Sequence, residues 1–126
     1  MVSTLRDAGY NLQTNVVVGR SPDGSQFRAK IAASYGEGPA LILSGHSQRR
    51  RGTTENKIPW EAISISSAID SSKDRYSRGY IVLAGSGWTL KDFFVRGGLE
   101  QYMKGVDLVK IITLDDFMER VQTRTL

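Results

Sequence analysis

Cysteine is absent from the 126-residue chain and histidine occurs once, as His46. The first absence excludes a disulfide framework, a thiolate zinc site and a cysteine nucleophile. The second leaves any metal to carboxylate and carbonyl oxygens, which favour Mg²⁺, Mn²⁺ or Ca²⁺. No stretch approaches the roughly 20 apolar residues of a membrane-spanning helix, and Met1 to Asp7 lack the apolar segment of a signal peptide. The expectation is an intracellular, soluble protein without membrane contact. With 40% hydrophobic and 24% charged residues the composition is that of an ordinary domain. A chain of this length builds one core, so residues 1–126 are expected to form a single domain.

The formal net charge is +4, and it is unevenly placed. From Met1 to Lys57 eight Lys/Arg face four acids, whereas from Ile58 to Leu126 there are nine of each. Arg49, Arg50 and Arg51 are the densest point of the excess. A polyanion partner follows from such a patch, nucleic acid being the commonest.

Local patterning gives an element order. Val2 to Ala8 reads as a short helix ended by Gly9. Tyr10 to Val18 and Gln26 to Ala33 read as strands joined by the turn-rich Gly19–Ser25 segment, and Ala40 to Ser44 as a third, apolar strand. A helix starts near Pro59, its apolar Ile58, Ala62, Ile63, Ile65 and Ile69 falling mostly at three- and four-residue steps, so that one face should pack on the sheet. Gly79 to Gly85 is the clearest buried strand. Thr89 is placed as the N-cap of a helix to Val95, with a helical turn over Leu99–Lys104. A strand at Val106–Ile112 and a helix at Leu114–Gln122 capped by Thr113 close the chain. Phe93, Phe94, Tyr102 and Phe117 are expected in the core. An antiparallel meander followed by helical crossovers yields a mixed sheet flanked by helices, an α/β fold that is α+β by some counts.

Gly36-Glu37-Gly38 and Gly85-Ser86-Gly87 lack the spacing of a phosphate-cradling loop and read as turns. Ser44 and His46 lie close together without the elbow of a hydrolase nucleophile. The informative segment is His46 to Lys57. Its Gln48, Arg49, Arg50, Arg51, Thr53 and Lys57 place cations and neutral donors between a central strand and a helix, and such groups contact phosphates. Its bland alternative is a solvated, mobile loop.

Leu41-Ile42-Leu43-Ser44-Gly45-His46-Ser47-Gln48 followed by Gly52-Thr53-Thr54-Glu55-Asn56-Lys57-Ile58-Pro59 resembles the core of PD-(D/E)xK nucleases, the restriction-endonuclease-like superfamily. The αβββαβ order is similar as well. The resemblance implies an acid on the second strand and an acid-x-Lys on the third, holding Mg²⁺ for phosphodiester hydrolysis. Here Lys30 stands at the first position, and Ser44 and His46 at the second and third. A cation in place of a metal-binding acid is hostile to catalysis.

The leading expectation is therefore a nucleic-acid-binding restriction-endonuclease-like domain without nuclease activity and without a cofactor. DNA stands ahead of RNA as its ligand, and Lys30, His46, Gln48, Arg49, Arg50, Arg51, Thr53 and Lys57 are the contact residues. One alternative is an active Mg²⁺-dependent endonuclease with its site moved to Asp23, Glu55 and Lys57. Another is a structural subunit of a larger assembly, pairing with itself or another protein through an apolar patch at Trp60 or Trp88.

Overall fold

The computed structural model describes residues 1–52 and 54–126. Five strands form one mixed sheet in the order β1 (Asn11–Arg20), β2 (Gln26–Ser34), β3 (Ala40–Ser47), β4 (Tyr76–Ala84) and β5 (Val109–Thr113). The first two pairings are antiparallel and the last two parallel. Short turns suffice for the meander, whereas each parallel step needs a crossover. The first crossover is α2 (Ile58–Ser71). The second runs through α3 (Lys91–Val95) and a 3₁₀ turn at Gly98–Gln101. The terminal helices are α1 (Val2–Asp7) and α4 (Leu114–Thr123). The α+β class with helices flanking a mixed sheet is thus the observed one.

The central strands are buried on both faces because helices cover both. Ile42, Ile81 and Leu83 point to one side, against Ile58, Ala62 and Ile65 of α2. Their neighbours Leu41, Leu43, Tyr80 and Val82 point to the other, against Leu5, Phe117 and Val121 of α1 and α4. This strict alternation is the pleat of a strand, and it divides the interior into two layers. α4 begins where Thr113 Oγ1 accepts the amide of Asp116 at 3.1 Å, the expected cap.

Several boundaries differ from the sequence reading. β4 starts at Tyr76 instead of Gly79, since Tyr76 and Arg78 pair with Ala40 and Leu41 across the parallel ladder. β5 is shorter than Val106–Ile112, and the turn after α3 is 3₁₀. Tyr102 is 78% exposed, not core, with the Phe93 ring centre 6.2 Å from its own. Phe94 and Phe117 are buried as expected. Among the described residues no helix is long and apolar enough to cross a membrane.

Candidate nucleic-acid interface

β3 and β4 are parallel neighbours and end level, Ser47 beside Ala84. The chain leaving each strand is therefore forced against the other. The Gln48 amide donates to Ala84 O at 3.0 Å, the Gly87 amide donates to Gln48 O at 2.8 Å, and Gln48 Nε2 donates to Gly87 O at 2.8 Å. Trp88 Nε1 adds a bond to Ala84 O at 2.7 Å. The two backbones approach so closely that a Cβ on Gly85 would strike the Gln48 backbone, and one on Gly87 the Arg50 backbone. Gly85 also sits at φ +91°, where glycine alone rests without strain.

Glu55 closes the far end of the same loop. Its carboxylate accepts the Thr89 hydroxyl at 2.5 Å, the Leu90 amide at 3.0 Å and the Thr89 amide. The Thr89 hydroxyl bond, opposed by burial and helped by the two amides and the Arg51 charge, holds this carboxyl below its ordinary range. The segment is thus anchored at Gln48 and at Glu55. Between the anchors Arg49, Arg50 and Arg51 stand exposed, with Lys57 exposed just beyond. Charged donors on a fixed backbone lose less freedom on meeting a phosphate than donors on a mobile one.

Two sequence expectations are corrected here. Gln48 is not a free donor, because it is buried and spends its amide on Gly87, leaving Oε1 without a partner among the described residues. Thr89 does not cap α3, whose N-cap is Leu90 without a side-chain bond. Thr53 lies outside the described residues.

A second group of polar residues lies on the α2 side of the sheet. Ser44 and His46, two apart on β3, share a face. Glu61, in the first turn of α2, reaches across to them. His46 Nε2 lies 2.9 and 3.0 Å from the two Glu61 oxygens and 3.4 Å from Ser44 Oγ. Facing a carboxylate, Nε2 carries the hydrogen and donates it. Burial pushes the Glu61 carboxyl up, but the bonds from His46 and Ser44 and the pull of His46 and Lys30 outweigh it, leaving it below its ordinary range. The sequence reading missed Glu61. Its signal was a carboxylate one turn into the helix that leaves the strand carrying His46.

This group is not a hydrolase relay. A serine–histidine–acid relay needs serine and acid on different ring nitrogens, whereas here both approach Nε2. It does not fit a divalent ion either. The positions where the nuclease resemblance calls for acids hold Lys30 and Ser44, and the carboxylate present is tied to His46. Among the described residues no group of three His, Asp or Glu is placed to hold a metal.

The alternative catalytic set does not assemble. Asp23 is spent in its own exposed turn, accepting the Ser25 hydroxyl at 2.6 Å and the Ser25 amide at 3.0 Å, bonds that hold its carboxyl low. That turn hangs from Arg20, whose amide donates to Ser71 Oγ at 2.9 Å and whose carbonyl accepts from Ser67 Oγ at 2.8 Å. Lys57 caps the opposite end of the 14-residue α2, about 21 Å away at 1.5 Å per residue. Glu55 is committed to the Thr89–Leu90 segment. Asp23, Glu55 and Lys57 therefore do not form one site, which removes the geometric basis for a relocated nuclease centre.

The Glu61 carboxyl lies below its unfolded value, so its stabilisation is complete above the ordinary carboxylate range and is lost as pH falls through the folded value. Glu61→Gln is expected to cost about 1–2 kcal/mol at neutral pH. The gap to the parent should begin to narrow as pH falls into the ordinary carboxylate range and close only below the lowered folded value. Urea unfolding of both proteins between neutral and acid pH reads this directly, and a gap that does not vary with pH contradicts it.

No family model matches the chain, and no curated protein matches it. Among solved structures it is similar to the crystal structure of AF1548, a protein of unknown function. That likeness has a TM-score of 0.52 at 14% sequence identity, and covers 89% of this chain and 53% of the other. The chain thus spans about half the length of that neighbour, and the likeness concerns the fold alone.

Proposed function

We propose that the chain is a nucleic-acid-binding domain of the restriction-endonuclease-like kind that meets the sugar–phosphate backbone and does not cut it. The observation that carries this is the loop bolted at Gln48 and Glu55, which presents Arg49, Arg50 and Arg51 to solvent beside Lys57. Guanidinium groups make bidentate bonds to phosphate, and a fixed loop gives them a register. Against cleavage stands the Lys30, Ser44, His46 and Glu61 group, which offers one engaged carboxylate where metal-assisted hydrolysis needs several oxygen ligands. DNA is preferred to RNA as the ligand on the strength of the nuclease resemblance.

The test is fluorescence anisotropy of labelled duplex DNA, RNA and single strands titrated with the intact chain at rising salt. Binding that weakens steeply with salt is expected. Absence of binding at low ionic strength would remove the proposal, leaving an interaction domain for another protein or a second copy.

A further inference from the structure

Trp60 is 54% exposed. It lies in the first turn of α2, three residues after Lys57, so the two side chains share a helix face. The next residue, Glu61, turns inward to His46, and this bond fixes the rotation of the first turn and hence the outward aim of the indole. The segment before it in sequence carries exposed Arg49, Arg50, Arg51 and Lys57, and exposed Lys30 lies near enough to pull on the adjoining Glu61. The two nearby carboxylates are both engaged internally, Glu55 with Thr89 and Leu90, and Glu61 with His46. An exposed indole that closely follows Arg49, Arg50, Arg51 and Lys57 in the chain is matched by a ligand that brings a flat apolar face and negative charge together.

A nucleotide strand does so when its bases are free. Its phosphates meet the arginines and a base stacks on the indole, the combination that single-strand binders use. A blunt duplex keeps base faces inside its own stack and leaves Trp60 uncovered. We propose that this surface takes unpaired nucleotides, with Trp60 as the stacking platform, an inference that rests on the nucleic-acid reading above and narrows its ligand to single-stranded or locally unpaired polynucleotide.

Trp60 and Trp88 are the two tryptophans, and Trp88 is 8% exposed with its Nε1 bonded inside the fold. Emission from Trp60 therefore reports the surface while Trp88 serves as an internal constant. The intact chain is titrated at low ionic strength with oligothymidylate, with oligouridylate and with a blunt DNA duplex, circular dichroism confirming that each variant is folded. Both single strands are expected to quench the emission, and Trp60→Phe to remove the quench. Trp60→Ala should weaken single-strand binding about 5- to 100-fold and affect the duplex little. The tighter of the two oligomers distinguishes DNA from RNA. Single-strand binding without a quench, or an equal loss for duplex and single strands in Trp60→Ala, overturns the inference and leaves the proposed function standing. Failure to bind any of the three overturns the proposed function and this inference with it.

Discussion

Replacing Arg49, Arg50 and Arg51 together by alanine is expected to weaken nucleic-acid binding about 10- to 100-fold near 0.1 M salt, as loss of several phosphate contacts does. The physical reason is counterion release. Each cation that neutralises a phosphate frees an ion from the polymer, so the salt dependence counts the contacts. The slope of log affinity against log salt should become shallower by about 2 to 3 in the triple variant. Stability should move by no more than about 0.5 kcal/mol, because the three side chains are exposed and the loop is held elsewhere. A variant that keeps both affinity and slope would show that these arginines form an ordinary solvated face.

Gly85→Ala is expected to destabilise the fold by roughly 3 kcal/mol and to lower the thermal midpoint by roughly 10 °C. Two costs combine at this position. The backbone has φ +91°, unfavourable for any residue with a Cβ, and that Cβ would meet the backbone of Gln48, which has no room to retreat. Gly24→Ala separates the costs. Gly24 has nearly the same backbone, φ +86°, and nothing within 4 Å of its added Cβ. Its variant should lose only about 1 kcal/mol from backbone strain. If the two variants lose the same amount, the close packing of the β3 and β4 exits contributes nothing. Because the same packing sets the arginine-bearing loop, Gly85→Ala should also lower nucleic-acid affinity below the melting range, whereas Gly24→Ala should not.

The order of elements was legible because it depends on local pattern. The apolar run Ala40 to Ser44 and the segment from Gly79 to Ala84 are strands in the structure, and Thr113 caps α4 as its position before a helical pattern predicts. What local pattern hid were roles set by partners distant in sequence. Thr89 carries the hydroxyl of a cap, yet that hydroxyl serves Glu55, 34 residues earlier. Glu55, read as a candidate catalytic acid beside Lys57, is instead the brace of a loop, because its three donors come from the segment that leaves the neighbouring strand β4. Glu61 is by local pattern only an acid in the first turn of α2, and its partner His46 lies 15 residues back. Trp60 and Trp88 both begin segments, and only tertiary packing separates the exposed indole from the buried one. The clustering of positive charge was legible from composition. Its placement on a pinned loop was not, since the pins are bonds between the exits of two parallel strands.

The central claim, backbone binding without cutting, is tested most directly on one gel. Supercoiled plasmid is incubated with the intact chain at low salt with Mg²⁺ or Mn²⁺, then run before and after the protein is removed. A retarded plasmid that returns to its supercoiled position on deproteinisation is expected. Nicked or linear product that EDTA abolishes would contradict the claim, as would failure to retard both the plasmid and a single-stranded circular DNA run beside it.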